Sequence, residues 1–175
     1  AGSTFTNEKK GTASGWKPEC PAVGGIAAIL KGEGTISNCG FSGTAHLSFD
    51  QGAENLGQMN GLVGGLVGVL ESGTVSNSYV INKEPTIPND TIYGNIAGRS
   101  NGTITNCYYL ENETYPGAVN GAQEQGTLDD VSAKSSGDFV SGEVAYLLNT
   151  GANAGTWGQG NTLPILAGES VSAVY

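Results

Sequence analysis

Three stretches of this chain follow one grammar, and nothing else in it constrains the fold as tightly. Residues 24–41 read GGIAAILKGEGTISNCGF, residues 61–80 read GLVGGLVGVLESGTVSNSYV, and residues 94–109 read GNIAGRSNGTITNCYY. Each copy carries a glycine pair or Gly-Asn, whose second glycine is Gly25 or Gly65. An apolar-small-small step and a further Gly follow, then Thr-Ile/Val-Ser/Thr-Asn-Cys/Ser. The asparagines Asn38, Asn77 and Asn106 lie 39 and 29 residues apart.

The Thr-Ile-Ser steps favour β structure and alternate polar with apolar, as half-buried strands do. Ile36 and Cys39 are three apart, which on a flat strand places them on opposite faces. A corner at Asn38 reconciles them, because asparagine tolerates the left-handed conformation. Past the corner Cys39 and Phe41 then point inward, as do Ser78 with Val80 and Cys107 with Tyr109. Gly32, Gly34, Gly73 and Gly102 mark a second turn, and the pairs at 24–25 and 64–65 a third. No copy can bury its apolar side alone, so the copies stack in parallel register. Ile36, Val75 and Ile104 form one inward ladder; Ile26, Leu66 and Ile96 form another. The glycine content is costly in helices, which disfavours a helical bundle. The expected fold is all-β: a parallel β-solenoid of about three rungs, right-handed by the usual hand of parallel crossovers. Arg99 stands where the other copies hold Ile29 and Val69. Either that position faces outward or the third rung lies beside a cap that lets a long cation reach solvent, and the second is favoured.

This reading divides the chain into an N-terminal cap at 1–22, repeats at 23–110 and a C-terminal capping segment at 111–175. Trp16 opens the first of these. Within the repeats, the extra length between copies one and two leaves as a side loop at 44–60, which holds His46, Asp50 and Glu54. Past Gly126 the repeat grammar is lost. Val140, Val144 and Leu147 sit there at helical spacing, with Ser141 or Asp138 as N-cap and Asn149 or Gly151 as stop. One short helix is expected to lay Phe139, Val144 and Leu148 over the last rung. Trp157 and an apolar strand ending near Leu166 follow.

Composition narrows the function classes. The chain has 29 glycines in 175 residues, 13% charged and 38% hydrophobic side chains, which is the profile of a turn-rich β protein and not of disorder. A net charge of −9 argues against nucleic acid and anionic membrane surfaces as partners, since both call for a basic patch. No run approaches the ~18 apolar residues of a membrane span. The opening AGSTFTNEKK lacks the apolar stretch of a signal peptide, as expected of a mature or trimmed chain, so export is neither shown nor excluded.

Cys20, Cys39 and Cys107 are an odd number and make no disulfide framework. Cys39 and Cys107 fall two rungs apart, about 10 Å at the strand spacing, too far for a bridge or a shared metal. A bridge from Cys20 to Cys39 stays open, with free buried thiols the expected state. His46 is the one histidine and has no partners at the spacing of a nucleophilic triad or a zinc site. The acids cluster in loops and tail and not as a facing pair across a groove. No catalytic residue, metal or cofactor is therefore expected. The candidates for binding are aromatic. The corner model turns Gly40, Tyr79 and Tyr108 outward on successive rungs, with Tyr93 and Tyr115 in nearby loops. Exposed, they would stack on sugar rings or anchor a protein; otherwise they pack beneath the insertion or the tail.

The Gly-Leu-Val-Gly-Gly-Leu-Val-Gly core followed by Thr-Val-Ser-Asn-Ser-Tyr resembles the GLUG motif, a glycine-rich repeat of bacterial surface proteins. Some of these are adhesin-like, and others are attached to immunoglobulin A peptidases. The likeness is closest at 61–80, good at 24–43 and partial at 94–109, where Asn95 replaces the second glycine. The ending SGEVAYLLN…WGQ…LPIL resembles the close of such arrays. The resemblance implies a β-solenoid in a secreted or cell-surface bacterial protein, and no reaction. Its structural positions here are Gly25, Gly65, Asn38, Asn77, Asn106, Cys39, Ser78 and Cys107. The expected function is a non-catalytic surface module with adhesin-like binding of a glycan or host surface protein. A passive spacer is the alternative, and a polysaccharide-acting β-helix enzyme stands behind both. The sequence leaves the oligomeric state open.

Overall fold

The computed structural model describes residues 22–43, 61–82, 91–119, 126–150 and 154–166. The side loop expected at 44–60 lies outside them, as does the N-terminal cap expected at 1–22 save for Ala22. The fold is mostly β, with parallel sheets and two short helices.

Each repeat supplies the same strands. The first gives β1 (Ala22–Gly24), β2 (Ala27–Leu30), β3 (Thr35–Ser37) and β4 (Gly40–Gly43). The second gives β5 (Leu62–Gly64), β6 (Val67–Leu70) and β7 (Thr74–Asn82), and the third β8 (Ile92–Gly94), β9 (Ala97–Ser100) and β10 (Thr103–Leu110). Equivalent strands pair in parallel and in register: β1 with β5 and β5 with β8, β2 with β6 and β6 with β9, and β3 and β4 with β7, which pairs in turn with β10. The corner falls where the spacing places it. Asn38, Asn77 and Asn106 hold φ of 53°, 49° and 47°, the region Asn visits at least cost.

The glycines between the strands permit close approach. A Cβ on Gly64 would lie 2.0 Å from the Val67 carbonyl oxygen and 2.8 Å from Ala97 Cα. With no side chain at this position, β5 can lie directly on the backbones of β6 and β9. The main core fills the space inside: Leu66, Leu70, Val75, Val80, Ile96, Ile104 and Cys107 are wholly buried in one cluster. The ladder through Ile36, Val75 and Ile104 is in register and sealed along its length. That through Leu66 and Ile96 is sealed too, but Ile26 at its head is 49% exposed.

The repeat does not end where the grammar was expected to stop. β11 (Thr127–Lys134) pairs in parallel with β10, Thr103 opposite Thr127 and Cys107 opposite Val131. Asp130 takes the corner with φ 51°. GTLDDV is therefore a fourth copy, hidden by exchanges at Leu128, Asp129, Asp130 and Val131; at the corner aspartate stands in for asparagine, and both reach the left-handed region through short polar side chains. The segment before it follows the third repeat as well, since Asn95 N–H and Ile96 N–H donate to the Gly117 and Ala118 carbonyls.

Arg99 is in register with Val69 and Ile29. Ile29 is 46% exposed, and Val69 belongs to none of the apolar clusters. The position faces away from the core, contrary to the placement beside a cap; with β11 laid on β10, the third repeat is not the last.

The tail forms two helices where one was expected, α1 (Ser136–Ser141) and α2 (Glu143–Leu148), broken at Gly142 with φ 93°. The N-cap is Ser135, whose hydroxyl accepts from Asp138 N–H while the Asp138 carboxylate accepts from Ser135 N–H. This capping box starts the helix earlier than the periodicity indicates. An antiparallel pair, β12 (Trp157–Gln159) and β13 (Pro164–Leu166), closes the described chain.

Candidate functional site

Tyr79 and Tyr108 sit opposite one another on β7 and β10, and both point away from the main core, as the corner requires. They do not form an exposed face. Tyr79 is 6% and Tyr108 1% exposed, because Phe139, Val144, Leu148 and Trp157 of the tail pack onto them as a second apolar cluster. The Tyr79 ring meets Phe139 at 5.8 Å and Trp157 edge-on at 5.5 Å, and its hydroxyl donates to the Pro164 carbonyl at 3.0 Å. The helices therefore lie along the flank of the stack, with Phe139, Val144 and Leu148 against the tyrosines of the second and third repeats. An outward-facing aromatic with a polar tip suits such a seam, where the ring is covered and the hydroxyl finds a partner.

Tyr108 is bound more closely. Its hydroxyl lies 2.8 Å from Asn106 Oδ1 and 2.9 Å from Asp130 Oδ2, and Lys134 Nζ stands 5.8 Å from the ring centroid. Lys134 in turn donates to Glu143 at 2.7 Å, tying β11 to α2. Burial, and then the Asp130 carboxylate, pushes the Tyr108 phenol well above its usual range. The corner residues join this network, as Asn106 Nδ2 donates to Asn77 Oδ1 at 2.8 Å.

The other two tyrosines form a separate site. Tyr93 is 4% exposed, and the half-buried Tyr115 ring packs on it at 4.7 Å between centroids. Asn82 Nδ2 donates to Tyr93 Oη at 2.6 Å, which donates to Asn95 Oδ1 at 3.2 Å. Asn95 Nδ2 then donates to the carbonyls of Tyr115 and Gly117 at 2.6 and 2.9 Å. Asn95 thus stands where Gly25 and Gly65 stand and holds the loop after β10. Burial drives the Tyr93 phenol upward, the Asn82 hydrogen bond opposing it.

The four candidates fall in two interior clusters and do not converge on a common surface. Sequence reasoning missed Asn82, Asn95 and Asp130. Asp130 left a signal through its place in GTLDDV, and Asn95 through its replacement of the second glycine.

Cys107 Sγ donates to the Thr105 carbonyl at 3.2 Å, and Ser78 Oγ makes the equivalent bond to Ser76 at 2.6 Å. Cys39 and Cys107 are free thiols with Ser78 in the slot between them. Burial, partly offset by backbone hydrogen bonds, pushes the Cys107 thiol up to about 12, which leaves it inert as a nucleophile at neutral pH. His46 and Cys20 lie outside the described residues. A shallow depression of about 330 Å³ is lined by Glu111, Asn112, Glu113, Pro116 and Ala133, and none of the four tyrosines lines it.

The GLUG motif matches residues 59–86, which take in the second repeat from before β5 to beyond β7. No curated protein and no solved structure matches the chain. The strands of the matched repeat pair with both neighbouring repeats. The chain is a GLUG-motif-containing protein.

Proposed function

We propose that the stacked repeats form a parallel β-solenoid, and that this solenoid is a non-catalytic structural spacer in a bacterial cell-surface protein. The observation that carries the reading is the burial of Tyr79 and Tyr108 beneath the chain's own tail. Adhesin-like capture through that tyrosine face needs exposed rings, whereas a spacer needs side chains that lock repeats to tail. In-register ladders through successive copies supply the stiffness such a role requires. The extracellular setting rests on the kinship of the GLUG motif with bacterial surface repeats.

The test is a panel of glycans, mucins and matrix proteins, probed with the wild-type chain, Tyr79→Ala and Tyr108→Ala. A spacer captures nothing on the panel, and each variant loses about 3 kcal/mol or more of unfolding free energy by emptying the seam. Capture by the wild type that disappears in a variant with an unchanged denaturation midpoint would overturn the spacer and restore a binding face.

A further inference from the structure

On the side of the sheet away from the core, each copy lays down a second pair of ladders. Thr35, Thr74, Thr103 and Thr127 stand opposite one another on β3, β7, β10 and β11, and so do Ser37, Ser76, Thr105 and Asp129. Ile36, Val75 and Ile104 between the two rows are buried. Successive side chains of a strand alternate, so both rows turn outward. Thr35, Ser37, Thr127 and Asp129 on the end strands are exposed, and the four inner residues are half-buried, as side chains flanked by neighbours on both sides are. Among the described residues these eight side chains form one hydrogen bond, a long one of 3.5 Å from Thr105 Oγ1 to Asp129 Oδ2. The other hydroxyls are left to solvent.

Two properties set this face apart from a merely solvated one. Solvent-facing positions draw on lysine, glutamate and arginine as well as on hydroxyls, yet seven of these eight are Ser or Thr and the one charge stands at the end. The array is also regular. Parallel strands repeat at about 4.8 Å, and alternate residues along a strand at about 6.6 Å. Side-chain ladders such as the buried one beneath hold a sheet flat. The result is a rectangular mesh of hydroxyls, each with one donor and two acceptor lone pairs, and the water bonded to it is ordered at the repeat of the protein.

We propose that this face binds ice. Its mesh is close to that of the water molecules on the prism plane of an ice crystal, so waters held by the two rows join the crystal in place. Threonine adds a methyl beside its hydroxyl, apolar surface that gains by leaving liquid water. A crystalline polysaccharide is the other regular, hydroxylated surface to weigh. Aromatic rings with a polar handle suit such a ligand, but Tyr79 and Tyr108 of the same strands are sealed beneath the tail. The inference goes beyond the spacer reading and is independent of it, because ice is not on the panel of glycans and proteins that tests the spacer.

The experiment grows ice slowly from a dilute solution of the wild-type chain and a co-dissolved protein without affinity for ice. Incorporation of the chain above that reference is expected, together with slowed recrystallisation of fine-grained ice. Thr74→Lys and Thr103→Lys each raise a long cation at the centre of the mesh. Both should fall to the reference level with the denaturation midpoint unchanged. Thr114→Lys, exposed in the loop after β10, should keep the wild-type level. Should the two central variants fail to fold, Ser37→Lys on the exposed end strand carries the same test and the same expected loss. Exclusion of the wild-type chain from ice would overturn the proposal, as would wild-type incorporation by a folded Thr74→Lys, Thr103→Lys or Ser37→Lys chain. Retention on crystalline cellulose or chitin by a chain that ice excludes would overturn it too, and would assign the face to a polysaccharide.

Discussion

A residue with positive φ at the same place in every copy bends these strands, and Asn106 also bonds to Asn77 along the stack. Asn106 is 8% exposed and donates to Asn77 Oδ1 and, at 3.5 Å, to the Leu148 carbonyl. Asn106→Gly keeps the conformation and loses the bonds, a cost of about 1–2 kcal/mol. Asn106→Ala adds the left-handed penalty and costs about 3 kcal/mol in all. Urea denaturation of the pair separates the two contributions, and equal losses would mean that the corner conformation is not what asparagine supplies. Cys107 gives a second prediction. Its thiol titrates near 8.5 in an unfolded chain but at about 12 in the fold, because burial disfavours the thiolate. The folded state therefore holds a proton that the unfolded state releases. The associated stability is complete below pH 8.5 and is lost between there and pH 12, at up to about 1.4 kcal/mol per pH unit. Cys107→Ser, which reproduces the Ser78 arrangement, should stay within about 1 kcal/mol of wild type at pH 7. Above pH 9 it should show a shallower alkaline loss in pH-resolved denaturation.

The strands and their order were legible because two signals coincided: β-favouring alternation and glycines where backbones touch. Gly64→Ala forces a Cβ against the Val67 carbonyl oxygen and Ala97 Cα and should cost about 3 kcal/mol or more. Gly32→Ala meets open space and only the strain of φ 65°, about 1–2 kcal/mol. Denaturation midpoints in that order would place backbone contact above turn conformation as the reason for glycine. The fourth copy was hidden by exchanges at four positions, Leu128, Asp129, Asp130 and Val131, of which Asp130 for asparagine alters the corner's chemistry but not its accessible backbone. The helix boundaries were misplaced because apolar spacing reports which face is buried, whereas Ser135 and Gly142 set where the helices start and break.

The whole molecule explains why the tyrosines could not be read from sequence. The corner correctly sends Tyr79 and Tyr108 away from the main core, but what covers them comes from Phe139, Val144, Leu148 and Trp157, some 30 to 80 residues later. No local pattern records so distant a contact. Exposed aromatics and seam aromatics are the same residues until the tail is placed. Asp130 and Lys134 strengthen the seam from the fourth copy, so that copy joins repeats and tail.

The register of the ladders also bears on how such a chain changes over generations. Because equivalent residues sit opposite one another from copy to copy, duplicating one copy offers the new strands ready-made partners on both sides. One added copy of 24 to 29 residues, the spacing seen from Asn77 to Asn106 and from Asn106 to Asp130, lengthens the stack by a single strand spacing of about 4.8 Å. Length is then counted in copies, and unequal recombination between near-identical segments can alter it in whole steps without redesigning any interior contact.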